Sequence, residues 1–450
     1  MRTTGYRRYL LILLLAILGF AFLDRVALGV LLQDIKVDLH LSDTQLGFLS
    51  GIAFALFYSV MGIPIARWAD LGNRVLIVSL TTALWSVAVA TCGMASSFVQ
   101  LMLIRVGVAV GEAGAFPSGI SLIADYFNRA ERPRAVAIYS LGGPLAMIGG
   151  YMIAGWLNQR FGWRLTFVLI GAPGLVVAAA AWLTLREPRL AKTILQTTAA
   201  GRPEATIGSE KRTELKEVCA ALWANTTFRH LLLCISVTYF FNYGSLQWQP
   251  SYFMRSFGLT SGEVGVWFAI IFGVGGLVGT YLGGEFASRY AAGNERLQLV
   301  VFAIVMVICG LMSASVFVSS NLHMAFALLG GVSLALFVGV GPLYAIIQTL
   351  APERMRAVAM ALVMLIGNLI GMGLGPLATG ALSDAFHGWA AQESLRYALL
   401  TMSPGYLLVA WFAWRASRTV TRDLVVPLGD VGEQIKGAGE GPIGLKKRQA

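Results

Sequence analysis

Two stretches decide the fold: residues 131–157, "ERPRAVAIYSLGGPLAMIGGYMIAGWL", and residues 353–382, "ERMRAVAMALVMLIGNLIGMGLGPLATGAL". Glu131 matches Glu353, Arg132 matches Arg354 and Arg134 matches Arg356, and Ala-Val-Ala follows in both copies, all at one offset of 222 residues. Each copy is a charged turn leading into a long, glycine-rich apolar run, so the chain reads as a duplication. The second expected feature of each run is bendability. Pro144 and Pro376 sit among glycines that let neighbouring backbones approach, and both are candidate hinges.

Working outward, a membrane span needs about 20 mostly apolar residues. Such runs occupy about 9–32, 45–66, 74–95, 98–124, 134–157, 164–185, 229–254, 263–288, 297–318, 322–350, 355–383 and 395–418, separated by polar turns. They are helices 1 to 12 below. Six spans separate the two copies of the repeat, an even number, so the copies run in the same direction, as halves related by an axis along the membrane normal. The expected fold is an all-α membrane protein with twelve transmembrane helices in two pseudo-symmetric halves. Residues 1–185 form the first half and 229–418 the second. Residues 186–228 form the connection, polar through "TTAAGRPEATIGSEKR". It ends in "ELKEVCAALW", whose Leu215, Val218, Cys219, Leu222 and Trp223 share one face, predicting a helix on the membrane surface. Residues 419–450 are glycine-rich and charged and read as a disordered cytoplasmic tail.

Composition agrees: of 450 residues 57% are hydrophobic and 13% charged, more apolar surface than a water-soluble globule buries. The net charge of +11 is spread between apolar runs rather than gathered on one segment, which argues against nucleic acid. With the N-terminus in the cytoplasm, about 27 Lys and Arg fall on the inner side and roughly five on the outer, the positive-inside bias. Both termini are therefore expected in the cytoplasm. Cys92, Cys219, Cys234 and Cys309 have no paired spacing and read as small buried residues. The four histidines form no metal-ligand grouping, and no phosphate-binding loop is present, so neither an enzyme site, a metal site nor a nucleotide-driven pump is indicated.

Four ionisable residues lie inside the predicted spans: Asp24 and Arg25 in helix 1, Arg105 and Glu112 in helix 4. Charges in hydrocarbon are costly and normally pair or line a cavity. At ~1.5 Å per residue, Asp24 and Arg105 both lie ~12 Å below the outer surface, so they can meet. Arg105 and Glu112 are two turns apart on one face, with Glu112 ~10 Å deeper, near the midplane. Hydrocarbon penalises a bare carboxylate there unless an arginine is close, which makes Glu112 the stronger proton-carrying candidate. A static ion-pair network joining helices 1 and 4 is the competing reading. The second half differs, offering Tyr239, Asn242, Tyr243 and Gln247 in helix 7, Tyr344 and Gln348 in helix 10 and Asn368 in helix 11 as a polar-aromatic cavity wall.

The chain resembles the major facilitator superfamily and, within it, the Spinster family of lipid-type transporters, above all its bacterial members. The resemblance is carried by "LDRVAL" (23–28), "LSDTQLGFLSGIAFALFYSVMGIPIARWADLGNR" (41–74) and "RVGVAVGEAGAFPSGISLIADYF" (105–127). "GWRLTFVLIGAPG" (162–174) and "PSYFMRSFGLTSGEVG" (250–265) support it. The turn after helix 2 is similar to the superfamily's gating loop, which implies gating roles for Asp70 and Arg74. Ala66 and Asn73 stand where glycines are usual, so the loop's geometry departs from the general pattern. The resemblance implies that Asp24 and Glu112 are proton-linked, and that Arg105 acts in binding or switching.

The expected function is secondary active transport by alternating access, with protons as the only coupling or gating ion and no cofactor. The substrate is expected to be a lysolipid or sphingoid-type amphipath, with membrane lipid as surroundings and the protein a monomer in the bacterial inner membrane. The alternative is a proton-linked carrier of small organic anions, with Arg25 and Arg105 as a carboxylate clamp.

Overall fold

The computed structural model describes residues 4–188, 220, 222–351 and 355–425. Most of the connection with its expected surface helix, Cys219, the tail beyond Val425, Glu353, Arg354 and the side chain of Asp70 lie outside the described residues.

The described chain is helical. The first half holds helix 1 (Thr4–Leu39), helix 2 (Asp43–Ser50 continued by Ile52–Leu71), helix 3 (Arg74–Cys92) and helix 4 (Phe98–Glu112 and Ala115–Tyr126). Helix 5 begins as Arg132–Ser140 and runs on into the stretch Gly142–Thr184, whose second part is helix 6. The second half holds helix 7 (Thr226–Leu246 and Gln249–Phe257), helix 8 (Ser261–Glu285) and helix 9 (Glu295–Val318). Helix 10 (Leu322–Val338 and Val340–Leu350), helix 11 (Arg356–Asn368 to Gly375–Ala390) and helix 12 (Ser394–Met402 and Gly405–Val425) complete it. Among the described residues, nine stretches are long and apolar enough to cross a membrane. Two of them, 132–184 and 358–424, double back and hold two spans each. Helix 7 is the twelfth; Arg229, His230 and Asn242 dilute its apolar character. Large apolar side chains stand exposed around the bundle, among them Ile12, Leu80, Leu103, Trp182, Ile270 and Leu311, as a lipid-facing surface requires.

The sequence reading places most boundaries within a few residues but underestimates helix 1, which extends to Leu39 rather than 32. The polar extra turns hold because each charge has a partner. Asp34 accepts from Asn158, Asp38 accepts from Trp163 and forms an ion pair with Arg164, and Lys36 pairs with Asp43 at 2.6 Å. The reversal between helices 5 and 6 is a single residue, Gly162, whose φ of 74° favours glycine. The repeat is interrupted in both copies near its proline. Helix 5 breaks at Leu141 before Pro144, and helix 11 widens into a π-turn, Leu369–Leu374, before Pro376.

The halves meet at the end of the bundle away from the N-terminus. There Gly155 of helix 5 lies on the backbone of Ser261 in helix 8, and Gly47 of helix 2 on Pro376 of helix 11, with no room for a Cβ. Asp43 ties this end together. Its carboxylate is buried and accepts from Lys36 (2.6 Å), from both terminal nitrogens of Arg255 (2.8 Å each) and from Ser383 Oγ (2.6 Å). Reciprocally, Asp384 of helix 11 accepts from the backbone N–H groups of Asp43 (3.0 Å) and Thr44 (2.7 Å), capping helix 2 from the other half. At the opposite end the pairs Arg7–Glu131 and Arg74–Asp125 lie inside the first half and Arg422–Asp423 inside the second.

Removing one partner of a buried charge cluster leaves the others uncompensated, a cost of about 3–5 kcal/mol. Asp43→Asn is therefore expected to separate the halves at this end. Spin labels at exposed Val37 and Trp389 should show a longer, broader distance distribution, whereas Arg164→Gln, which removes an exposed pair, should leave it unchanged.

Candidate functional site

Helix 4 uses its two faces differently. Gly107, Gly111 and Gly114 fall on one side, where Gly111 lies on the backbone of Trp85 and Gly114 on Thr81, so helix 3 packs in close contact. Arg105 and Glu112 fall on the other side and reach helix 1. Arg105 Nη1 donates to Asp24 Oδ2 at 2.6 Å, and both side chains are fully buried. Arg25 Nε donates to Glu112 Oε2 at 2.7 Å, and Nη2 lies 2.7 Å from the same oxygen. The four charges expected to gather do so, as two pairs: Asp24 with Arg105, Arg25 with Glu112.

The pairs are not equivalent. Side-chain exposure is 21% for Arg25 but 1% or less for Asp24, Arg105 and Glu112, so Arg25 is the member of the four that keeps a free face. Its guanidinium is surrounded by aromatic rings, 4.7 Å from the centroids of Phe54 and Tyr58 and 5.2 Å from Phe22. Phe54 also faces Arg105 at 5.6 Å and so separates the two cations. Glu112 Oε1 and Asp24 Oδ1 are buried without a hydrogen-bond partner, so each carboxylate has one oxygen committed and one not.

From the second half, Tyr243 comes within electrostatic range of Arg25 and Tyr58. Tyr239 meets Tyr243 edge-on at 5.6 Å and shares a hydrogen bond with the Tyr344 hydroxyl. Gln247 rests against Gly29 of helix 1. Asn242 and Asn368 are half-buried, and Gln348 is exposed near the end of helix 10. Behind Tyr239 and Tyr344 a small recess of about 40 Å³ lies among Ile235, Phe302, Leu336 and Leu343. Sequence reasoning missed Phe22, Phe54 and Tyr58. The i, i+4 spacing of Phe54 and Tyr58 was a usable signal, but an aromatic pair in an apolar helix reads equally well as packing.

In the turn after helix 2, Arg74 is buried, donating to Asp125 (2.7 Å), to the Ser121 carbonyl (3.0 Å) and to Glu187. Glu187 Oε2 also accepts from the Arg74 backbone N–H at 2.7 Å, so the start of the inter-half connection is tied to helix 3. Nothing in the sequence pattern pointed to Glu187, which lies 113 residues from its partner. Nearby, outside the spans, the Arg7 guanidinium holds the Glu131 carboxyl below the usual carboxylate range.

Because the Asp24–Arg105 pair is fully buried, Asp24→Asn or Arg105→Gln alone should lower the unfolding temperature markedly, at a cost of about 3–5 kcal/mol. The double variant should recover part of that loss. A thermal-shift double-mutant cycle reads the coupling, and strictly additive losses would show the pair to be uncoupled.

Comparison with known proteins places this geometry. The chain has a TM-score of 0.82 and 31% identity to a crystal structure of a bacterial homologue of the human lysosomal transporter Spinster, in an inward-facing and unoccupied conformation. The match covers 94% of this chain and 99% of that one. It is 30% identical to an MFS-type efflux pump of Mycolicibacterium smegmatis, over 91% of this chain and 93% of the relative. It is 26% identical to a hexuronate transporter of Bacillus subtilis, over 81% and 85%. The family model of the Major Facilitator Superfamily matches residues 14–376, and with twelve helices in two halves around paired intramembrane charges, the chain belongs to that superfamily as a Spinster-like transporter.

Proposed function

We propose that this transporter moves an amphipathic, lipid-like molecule by a proton-linked alternating-access cycle. The carrying observation is the Arg25–Glu112 pair: a cation with 21% of its side chain exposed, set within an aromatic ring cluster and approached by Tyr243 from the other half. A small polar or anionic head group would engage Arg25, and its apolar body would lie along Tyr243, Tyr239 and Tyr344. An incoming anion competes with Glu112 for Arg25. Once Glu112 loses its partner in a site sealed from water, protonation is the inexpensive way to keep it buried, so substrate and proton binding become linked.

Asp24 and Arg105 are then the fixed frame and Glu112 the proton carrier. Pro144 and Pro376 would be the hinges between halves, and Asp70 with Arg74 the gating loop. The ties around Asp43 favour a conformation closed at the end away from the N-terminus and accessible from the other. The distribution of basic residues supports both termini in the cytoplasm and a bacterial inner-membrane location.

A second reading, a carrier of small organic acids, is favoured by relatives such as the hexuronate transporter. The geometry offers it a single arginine rather than a clamp, because Arg105 is committed to Asp24.

Ligand-quenching and flux assays in proteoliposomes, run from mildly acidic to mildly alkaline pH, separate these readings. Lysolipid and sphingoid ligands are expected to bind and move, small uronates are not, and Arg25→Gln should weaken binding by at least about tenfold, the loss of a charge-assisted hydrogen bond. Glu112→Gln should leave a flat pH profile. Uronate flux without lipid response would make the substrate class an organic acid, and an unchanged pH profile in Glu112→Gln would remove the proton role.

A further inference from the structure

Helix 12 leaves the membrane at the end of the bundle that carries the N-terminus. From Ser394 to Arg415 it climbs ~32 Å, about the thickness of the hydrocarbon layer, so Arg415 and Arg418 stand at head-group level. Both are on the exposed face, where Arg415 lies 5.5 Å from the ring of Trp411 and Arg418 lies 5.1 Å from Trp414. The two tryptophans are themselves exposed, at the depth where indole rings anchor in the interface.

Helix 7 begins beside them. Thr227 Oγ1 meets Thr419 Oγ1 at 2.6 Å, and Cys234 Sγ reaches the Val409 carbonyl at 3.7 Å, so the helices run antiparallel and His230 lies level with Ala416. The charges of Arg415 and Arg229, and the opposite charge of Asp423, bear on the His230 imidazole, whose Nδ1 is buried with no partner. Arg229 donates to Thr226 Oγ1 at 3.3 Å. Asp423, the carboxylate at this level on these two helices, is taken by Arg422 at 2.9 Å and by Thr227. Among the described residues, Arg229, Arg415 and Arg418 have no carboxylate partner.

Arg415 and Arg229, neither with a carboxylate partner among the described residues, therefore flank His230 at one lipid-facing groove, and Arg415 is held by indole stacking. Ordinary solvated arginines need neither the stacking nor the convergence from two helices. We propose that the groove between the start of helix 7 and the end of helix 12 binds the phosphodiester head group of an anionic phospholipid, with Arg415 and Arg229 on the phosphate, His230 beneath it and Trp411 along the glycerol and upper acyl region. The inference rests on the membrane fold and is independent of what the central cavity carries.

Native mass spectrometry of the full chain in detergent, titrated with phosphatidylglycerol or phosphatidylcholine, tests it. Wild type is expected to retain phosphatidylglycerol in preference, and retention should fall roughly fivefold for each arginine removed in Arg415→Gln, Arg229→Gln and the double variant. Arg160→Gln, which removes an exposed arginine at the opposite end, should bind as wild type. A helical circular-dichroism spectrum matching wild type confirms that each variant is folded, and Arg415→Lys provides a milder second probe, retaining charge but losing bidentate geometry. Equal retention by wild type and the double variant, or an equal loss in Arg160→Gln, overturns the site. Displacement of the lipid by inorganic phosphate at comparable concentration would instead make it a soluble-anion site and overturn the lipid assignment.

Discussion

The cost of an ion in hydrocarbon is the constraint on which this structure depends. Asp24, Arg25, Arg105 and Glu112 are tolerated because each finds an opposite charge within 2.7 Å across the interface of helices 1 and 4. That requirement fixes the rotation of both helices. It also explains the glycines of helix 4, which bring helix 3 close on one face so that the charges can occupy the other.

The two pairs divide the work. Asp24–Arg105 is sealed and acts as a fixed joint, whereas Arg25–Glu112 keeps one exposed partner beside the space between the halves. A buried pair is a poor source of net stability, and the proposed exchange of Glu112 for a ligand at Arg25 would make this pair a switch rather than a brace. The aromatic residues around Arg25 serve the same purpose: they offer the cation π-faces without a competing negative charge, leaving it available to a ligand.

The same economy operates at both ends of the bundle. Where the halves must close on each other, backbone-to-backbone contact at glycines is combined with one carboxylate, Asp43, that collects donors from both halves. At the other end Arg74 gathers Ser121 and Asp125 of its own half and Glu187 at the start of the connection, which, among the described residues, stiffens that half without a side-chain tie to the helices of the other. A molecule braced across its halves at one end and within them at the other is suited to rocking about the first.

Much of this was legible in the chain itself. Apolar length gave the twelve helices, the repeat at Glu131 and Glu353 gave two parallel halves, and helical spacing brought Asp24 level with Arg105, because hydrophobic runs and a 1.5 Å rise are local properties. Local patterns could not assign which arginine takes which carboxylate, nor which stays exposed. Those follow from side-chain reach across packed helices. The aromatic cluster of Phe22, Phe54 and Tyr58, the Glu187 anchor and the extension of helix 1 to Leu39 likewise depend on partners tens to hundreds of residues away. Sequence determined where charge enters the membrane; tertiary packing decided which charge remains free to act, because burial is a property of neighbours rather than of the residue.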